Sequence, residues 1–77
     1  MKFDEAIHLL GRNVCFKVEH TPEDAQRLGR RFEEICGKVL RVEREGDYYW
    51  IVFDWGWGVR LDGIVEYWEE EEASEGR

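Results

Sequence analysis

Residues 48–53 read Tyr-Tyr-Trp-Ile-Val-Phe, an unbroken apolar run with a turn signal at each end. A strand sends alternate side chains to opposite faces, so a run like this needs cover on both faces. In a chain of 77 residues that requirement decides much of the architecture. There is room for one core, and the run has to lie inside the sheet that builds it. Glu45-Gly46-Asp47 before it and Asp54-Trp55-Gly56-Trp57-Gly58 after it are tight turns, so its neighbours are antiparallel. The preceding strand covers 38–45, where Leu40 and Val42 alternate with Arg41 and Glu43. Val59, Arg60 and Leu61 open the following strand, Asp62-Gly63 interrupts it, and Ile64 to Trp68 resume it.

The first half mixes periods. Phe3, Ala6, Ile7 and Leu10 fall at helical spacing, Asp4 and Glu5 suit a helix N-terminus, and Gly11 can end the turn. Over 13–19, Val14, Phe16 and Val18 alternate with Cys15, Lys17 and Glu19, the pattern of a half-buried strand. Thr21 is an N-cap residue and Pro22 suits the first helical position. Ala25, Leu28, Phe32, Ile35 and Cys36 continue as one apolar stripe, so the spacing predicts a helix over 22–36 that stops at Gly37 and carries Gly29 inside it. The expected fold class is α+β: a strongly curled antiparallel sheet of four to five strands. One amphipathic helix is inserted between strands 1 and 2, and a short helix precedes them. The order is α-β-α-β-β-β, with the first strand added at one edge of a C-terminal meander.

From Gly37 to Trp68 the succession is strand, tight turn, strand, tight turn, strand, a break at Asp62-Gly63, and a last strand. That succession resembles the back half of an SH3-like barrel. The resemblance is one of pattern, and it implies a partly open barrel.

Eleven aromatic residues give so short a chain enough bulk to build a core, which excludes disorder outside the C-terminus. The net charge is −7, and the nine C-terminal residues hold five glutamates and one arginine. Residues 1–68 are therefore read as the domain and 69–77 as an acidic, frayed tail. An acidic balance argues against affinity built on phosphate neutralisation and against adsorption to anionic membranes. No apolar run is long enough to span a bilayer, and no basic-then-apolar leader opens the sequence. Thr21, Asn13, Gln26 and Ser74 are single examples of their types; this thermophile-like composition fits a thermophile, a GC-rich genome or simple sampling in a short chain. Cys15 and Cys36 are too few for a disulfide framework and read as buried, reduced thiols of a cytoplasmic protein, although one bridge between them would stabilise the fold by ~3 kcal/mol.

Chemistry is sparse. Cys15, Cys36, His8 and His20 form a nominal Cys₂His₂ set, but structural zinc ligands come in closely spaced pairs and these do not, so no metal and no other cofactor is expected. Ser74 lies in the tail, Thr21 is a cap, and Cys15 with His20 lacks a third residue to orient the imidazole. Asp54, Asp62 and Glu66 could be drawn as a carboxylate site, yet turn aspartates satisfy their own backbone and Glu66 alternates outward. Gly56 and Gly58 precede a strand instead of a helix, so they make no dinucleotide loop. The chain reads as a non-enzyme.

Two surfaces remain. Arg27, Arg30 and Arg31 share a face of the expected helix, either as phosphate contacts or as partners of Glu23 and Glu34. Trp50 belongs to the core strand, whereas Trp55 and Trp57 sit in a turn beside Asp54, and Trp68 ends the last strand before the glutamates. Tryptophan is enriched where binding energy concentrates. The leading expectation is a small protein-binding module that docks through Asp54, Trp55, Trp57, Asp62, Trp68, Glu69 and Glu70. Its partner would be a larger protein with a basic, nucleic-acid-binding cleft, in the style of phage-encoded or mobile-element inhibitors. The alternative is an SH3-like nucleic-acid- or peptide-binding module working through Arg27, Arg30 and Arg31. A third reading is a subunit completed by homodimerisation through an open strand edge.

Overall fold

Val14 and Phe16 alternate inward as the sequence asks, in strand β1 (Asn13–Glu19). The computed structural model describes residues 1–70. Ahead of β1, helix α1 (Phe3–Ile7) is capped by the Glu5 carboxylate, which accepts the Lys2 N–H at 2.9 Å. Ala6 and Leu9 join the buried cluster, and the Gly11 N–H donates to the Val39 carbonyl at 2.8 Å.

The second helix is shorter than its stripe suggests. α2 runs Pro22–Leu28, with Thr21 accepting the Asp24 N–H at 3.2 Å, and Gly29 closes it in the left-handed region at φ 79. Residues expected to continue the helix instead open strand β2 (Phe32–Glu45), fourteen residues long. The reason is tertiary. Gly29 breaks the helix without strain, and residues 32–38 then form a seven-pair antiparallel ladder with β1, from Asn13↔Lys38 to Glu19↔Phe32. Phe32 and Ile35 satisfy helical spacing, but that local preference is smaller than what the ladder and the burial of Phe16 contribute.

β2 then serves a second ladder. Its far half pairs with β3 (Tyr48–Phe53), with a register shift between Val39 and Arg41 that leaves Leu40 unpaired and 52% exposed. A bulge bends the strand that carries it, and this bend turns one long strand into a shared wall. β3 pairs in turn with β4 (Gly58–Arg60). A 3-10 turn at Leu61–Gly63 separates β4 from β5 (Ile64–Glu69), which pairs with β1. The strand order is β4-β3-β2-β1-β5, all antiparallel, in one open sheet. Two expectations change as a result. β1 lies inside the sheet, not at its edge, and the segment after Trp57 forms two strands at opposite edges because the 3-10 turn redirects the chain.

The largest fully buried side chains are Phe16, Phe53, Ile51, Val14 and Val39. Phe16 contacts the rings of Phe53 and Tyr67 at centroid distances of 5.8 and 6.1 Å. β3 is central as expected, though its cover is unequal: Ile51 and Phe53 are buried, Trp50 and Val52 half-buried, and both tyrosines exposed. Cys15 and Cys36, direct partners across β1 and β2, are joined in a disulfide, not held as separate thiols. The antiparallel register places the two side chains on one face, adjacent, which sequence distance alone conceals. Of the residues read as the tail, Glu69 ends β5 and the Glu70 N–H donates to the Asn13 carbonyl at 2.9 Å, while residues 71–77 lie outside the described residues. No helix among the described residues is long and apolar enough to cross a membrane.

Candidate functional site

The turn after β3 begins in the core and ends in solvent. Gly56, at φ 96, allows the chain to reverse, and the Phe53 N–H donates to the Trp57 carbonyl at 2.7 Å. Three rings follow one another out of the core. Buried Phe53 stacks on Trp55 at 5.7 Å and Trp55 on Trp57 at 6.3 Å, each pair within 6° of parallel. Trp55 and Trp57 are each 56% exposed, yet Trp55 is held at two further points. Its Nε1–H donates to the Cys36 carbonyl at 3.3 Å, and its indole fills the space that Gly37 leaves by having no side chain. An exposed aromatic already fixed in position loses little freedom when a partner covers it.

Trp55 and Trp57 line a cleft of about 940 Å³. Arg27 and Leu28 of α2, Arg30 just beyond it, and Val18 and Ile35 line it as well. Leu28 is 38% exposed, so α2 as well as the turn contributes apolar surface to the cleft. Parts of the two candidate surfaces read from the sequence, the turn tryptophans Trp55 and Trp57 and the arginines Arg27 and Arg30, thus line one concavity.

All three arginines are already paired, and Arg27 and Arg30 among them line the cleft. Arg27 donates to Asp24 at 3.0 Å, Arg30 to Glu33 at 2.8 Å and Arg31 to Glu19 at 2.9 Å. Arg27 takes Asp24 in place of the expected Glu23, and Arg30 takes Glu33 in place of Glu34 because it lies beyond the end of α2. The Arg30 hydrogen bond, reinforced by one from His20, holds the Glu33 carboxyl below its ordinary range. Arg27 does the same for Asp24, helped by Thr21 and opposed by partial desolvation. His20 Nε2, just past the end of β1, lies 3.3 Å from Glu33 Oε1 on β2.

The remaining predicted residues scatter. Asp54 stays exposed on the turn and its N–H donates to the Lys38 carbonyl at 3.0 Å. Asp62 accepts a two-pronged contact from Arg60, both bonds at 2.8 Å, which raises the Arg60 pKa above its ordinary value. The same guanidinium lies 3.9 Å over the Tyr48 ring. Trp68 sits on β5 opposite Cys15 and borders a separate depression with Lys17, Phe32 and Glu34. Glu69 pairs with Arg12 at 2.9 Å. Of the seven residues proposed for the protein-docking surface, Trp55 and Trp57 line the cleft and the others do not.

Leu28, Ile35, Val18, Trp50 and His20 also line it and were not legible as site residues. Their apolar spacing marked Leu28, Ile35, Val18 and Trp50 as core, and periodicity carries no signal for a core-type residue left uncovered. Among the described residues, one trio brings metal-ligand atoms together: Cys15, Glu34 and Cys36, within 4.8 Å of one another. Neither histidine belongs to it, since His8 Nδ1 meets the Asp4 carbonyl at 2.8 Å and His20 meets Glu33. No family profile, curated protein or solved structure matches this chain.

Proposed function

We propose that the protein is a small, non-enzymatic binding module whose ligand is a segment of another protein, received in the cleft between α2 and the Trp55–Trp57 turn. One observation carries the reading: two largely exposed tryptophans form a stack on the core, Trp55 on Phe53 and Trp57 on Trp55, and Trp55 is also held by its hydrogen bond to the Cys36 carbonyl. Aromatic anchors held this way are what concentrates binding energy at protein interfaces. The chain's −7 charge favours a ligand with basic residues flanking an apolar anchor. A concrete form is an acidic inhibitor or regulator that occupies a basic, nucleic-acid-binding surface of its partner. The fold that goes with this reading is a partly open, SH3-like barrel, supported by the order β4-β3-β2-β1-β5 and by the 3-10 turn before the last strand.

The arginine alternative has weaker support, because Arg27, Arg30 and Arg31 are each engaged by a carboxylate and a phosphate would have to displace it.

Selection from a random peptide library tests the reading, with a Trp57→Ala counter-screen. Selected peptides should carry an apolar or aromatic residue beside Lys or Arg, and their affinity should fall by about 30-fold, ~2 kcal/mol, in Trp57→Ala. Arg27→Ala should matter less. If no peptide depends on Trp57, the reading fails. Salt-sensitive binding of a single-stranded oligonucleotide that Arg27→Ala and Arg30→Ala abolish would replace it with the phosphate alternative.

A further inference from the structure

In sequence the two cysteines are 21 residues apart, a spacing that argues against a metal site. The strand register removes that distance. Cys15 and Cys36 are direct partners, and Glu34, two positions along β2, shares their face. Both Sγ atoms and a Glu34 carboxylate oxygen lie within 4.8 Å of one another. Among the described residues Glu34 is in no ion pair. Its neighbours Glu33 and Glu19 are taken by Arg30 and Arg31, whereas the polar contact that Glu34 makes is to Cys36 Sγ, at 3.8 Å. Lys17, its register partner, places its ammonium 4.5 Å from the centre of the Phe32 ring.

Two thiolates and a carboxylate suit a thiophilic divalent cation, and the disulfide offers neither thiolate. We propose that Cys15, Cys36 and Glu34 bind a zinc-class cation when the disulfide is reduced, so that disulfide and metal are alternative links between β1 and β2. The reductant is an external thiol. Two equivalents supply two electrons and two protons, the S–S bond breaks, both cysteines become thiols, and the reductant leaves as its own disulfide. Cys36 is half-exposed and Cys15 only 3% exposed. The incoming thiolate therefore attacks Cys36 Sγ and expels the Cys15 thiolate. Metal binding then releases both thiol protons to solvent. The loaded trio keeps one negative charge, and Lys17, which stands between Glu34 and Glu66 in register, offsets it.

Cadmium titration of the full-length protein, reduced by a phosphine under anaerobic conditions, reads the site through thiolate-to-metal charge-transfer absorption. One equivalent should bind to the reduced protein and none to the oxidised protein. Glu34 is exposed, so Glu34→Gln should leave the fold intact while weakening cadmium binding roughly tenfold or more. Glu33→Gln should leave the affinity unchanged, and Cys36→Ser should abolish the absorption. The proposal is overturned by a reduced protein that has lost its sheet signal in circular dichroism, by absence of the charge-transfer band, or by undiminished affinity in Glu34→Gln.

Discussion

Gly37 and Trp55 fit together as space and filler. A Cβ on Gly37 would lie 2.5 Å from the Trp55 Nε1 and 2.9 Å from the Phe53 ring. Gly37 is therefore no helix stop; it is the point on β2 where an indole from a distant turn crosses the backbone. The contact links the disulfide-bearing strand to the turn whose tryptophans line the cleft.

Gly37→Ala forces the indole out. The expected cost is about 1–3 kcal/mol, the range for overpacking a filled site, read from urea unfolding. Trp emission should shift to longer wavelength and peptide binding should weaken along with it. An unchanged midpoint and spectrum would mean that Trp55 is not held where the geometry puts it.

Reduction of Cys15–Cys36 opens a covalent loop with a sequence separation of 21. Chain entropy assigns such a loop ~3 kcal/mol, a large share for a domain this small. Denaturant midpoints measured with and without a phosphine, in metal-free buffer, should differ by that amount. Equal midpoints would show that the thiols are already free in the folded protein.

Stability should decline in acid partly through Glu33 and Asp24. Arg30, then His20, pull the Glu33 pKa down, and Arg27 leads the lowering at Asp24. A carboxyl whose folded value lies below its unfolded one stabilises the fold above the ordinary carboxylate range. That contribution fades as pH falls through the lower folded value. Both pairs are solvent-exposed, so the effect is small. Melting temperature followed from neutral pH into acid should fall less steeply in Glu33→Gln with Asp24→Asn than in the parent. Parallel curves would remove these groups from the acid response.

Thr21→Ala removes the cap on α2, worth about 1 kcal/mol. No residue of α2 is buried, so the loss should appear as local opening. Hydrogen exchange should accelerate over 22–28 while the global unfolding midpoint moves little. Exchange that accelerates equally in β1 and β2 would show that α2 is coupled to the core.

Strands β1 and β3, the turn at Asp54–Trp57 and the start of α2 at Thr21-Pro22 were legible because each depends on neighbours in the chain. Period-two alternation, turn residues and an N-cap are local signals. The candidate site was legible only in halves: the tryptophan turn and the arginines each drew notice, and no pattern in the sequence says that Trp55, Trp57, Arg27 and Arg30 line one cleft.

What the sequence by itself determined is the inventory: an antiparallel α+β sheet, one core, an aromatic turn and an acidic balance. The tertiary structure decided the end of α2 at Gly29, the change of 32–36 from helix to strand, the meeting of Cys15 with Cys36 and Glu34, and the seat of Trp55 on Gly37. Each of these depends on a ladder between residues far apart in the chain. Phe32, Ile35 and Cys36 fit a helical stripe as well as a strand, and only the seven-pair register with β1, formed once the chain folds back, makes the strand the lower in free energy.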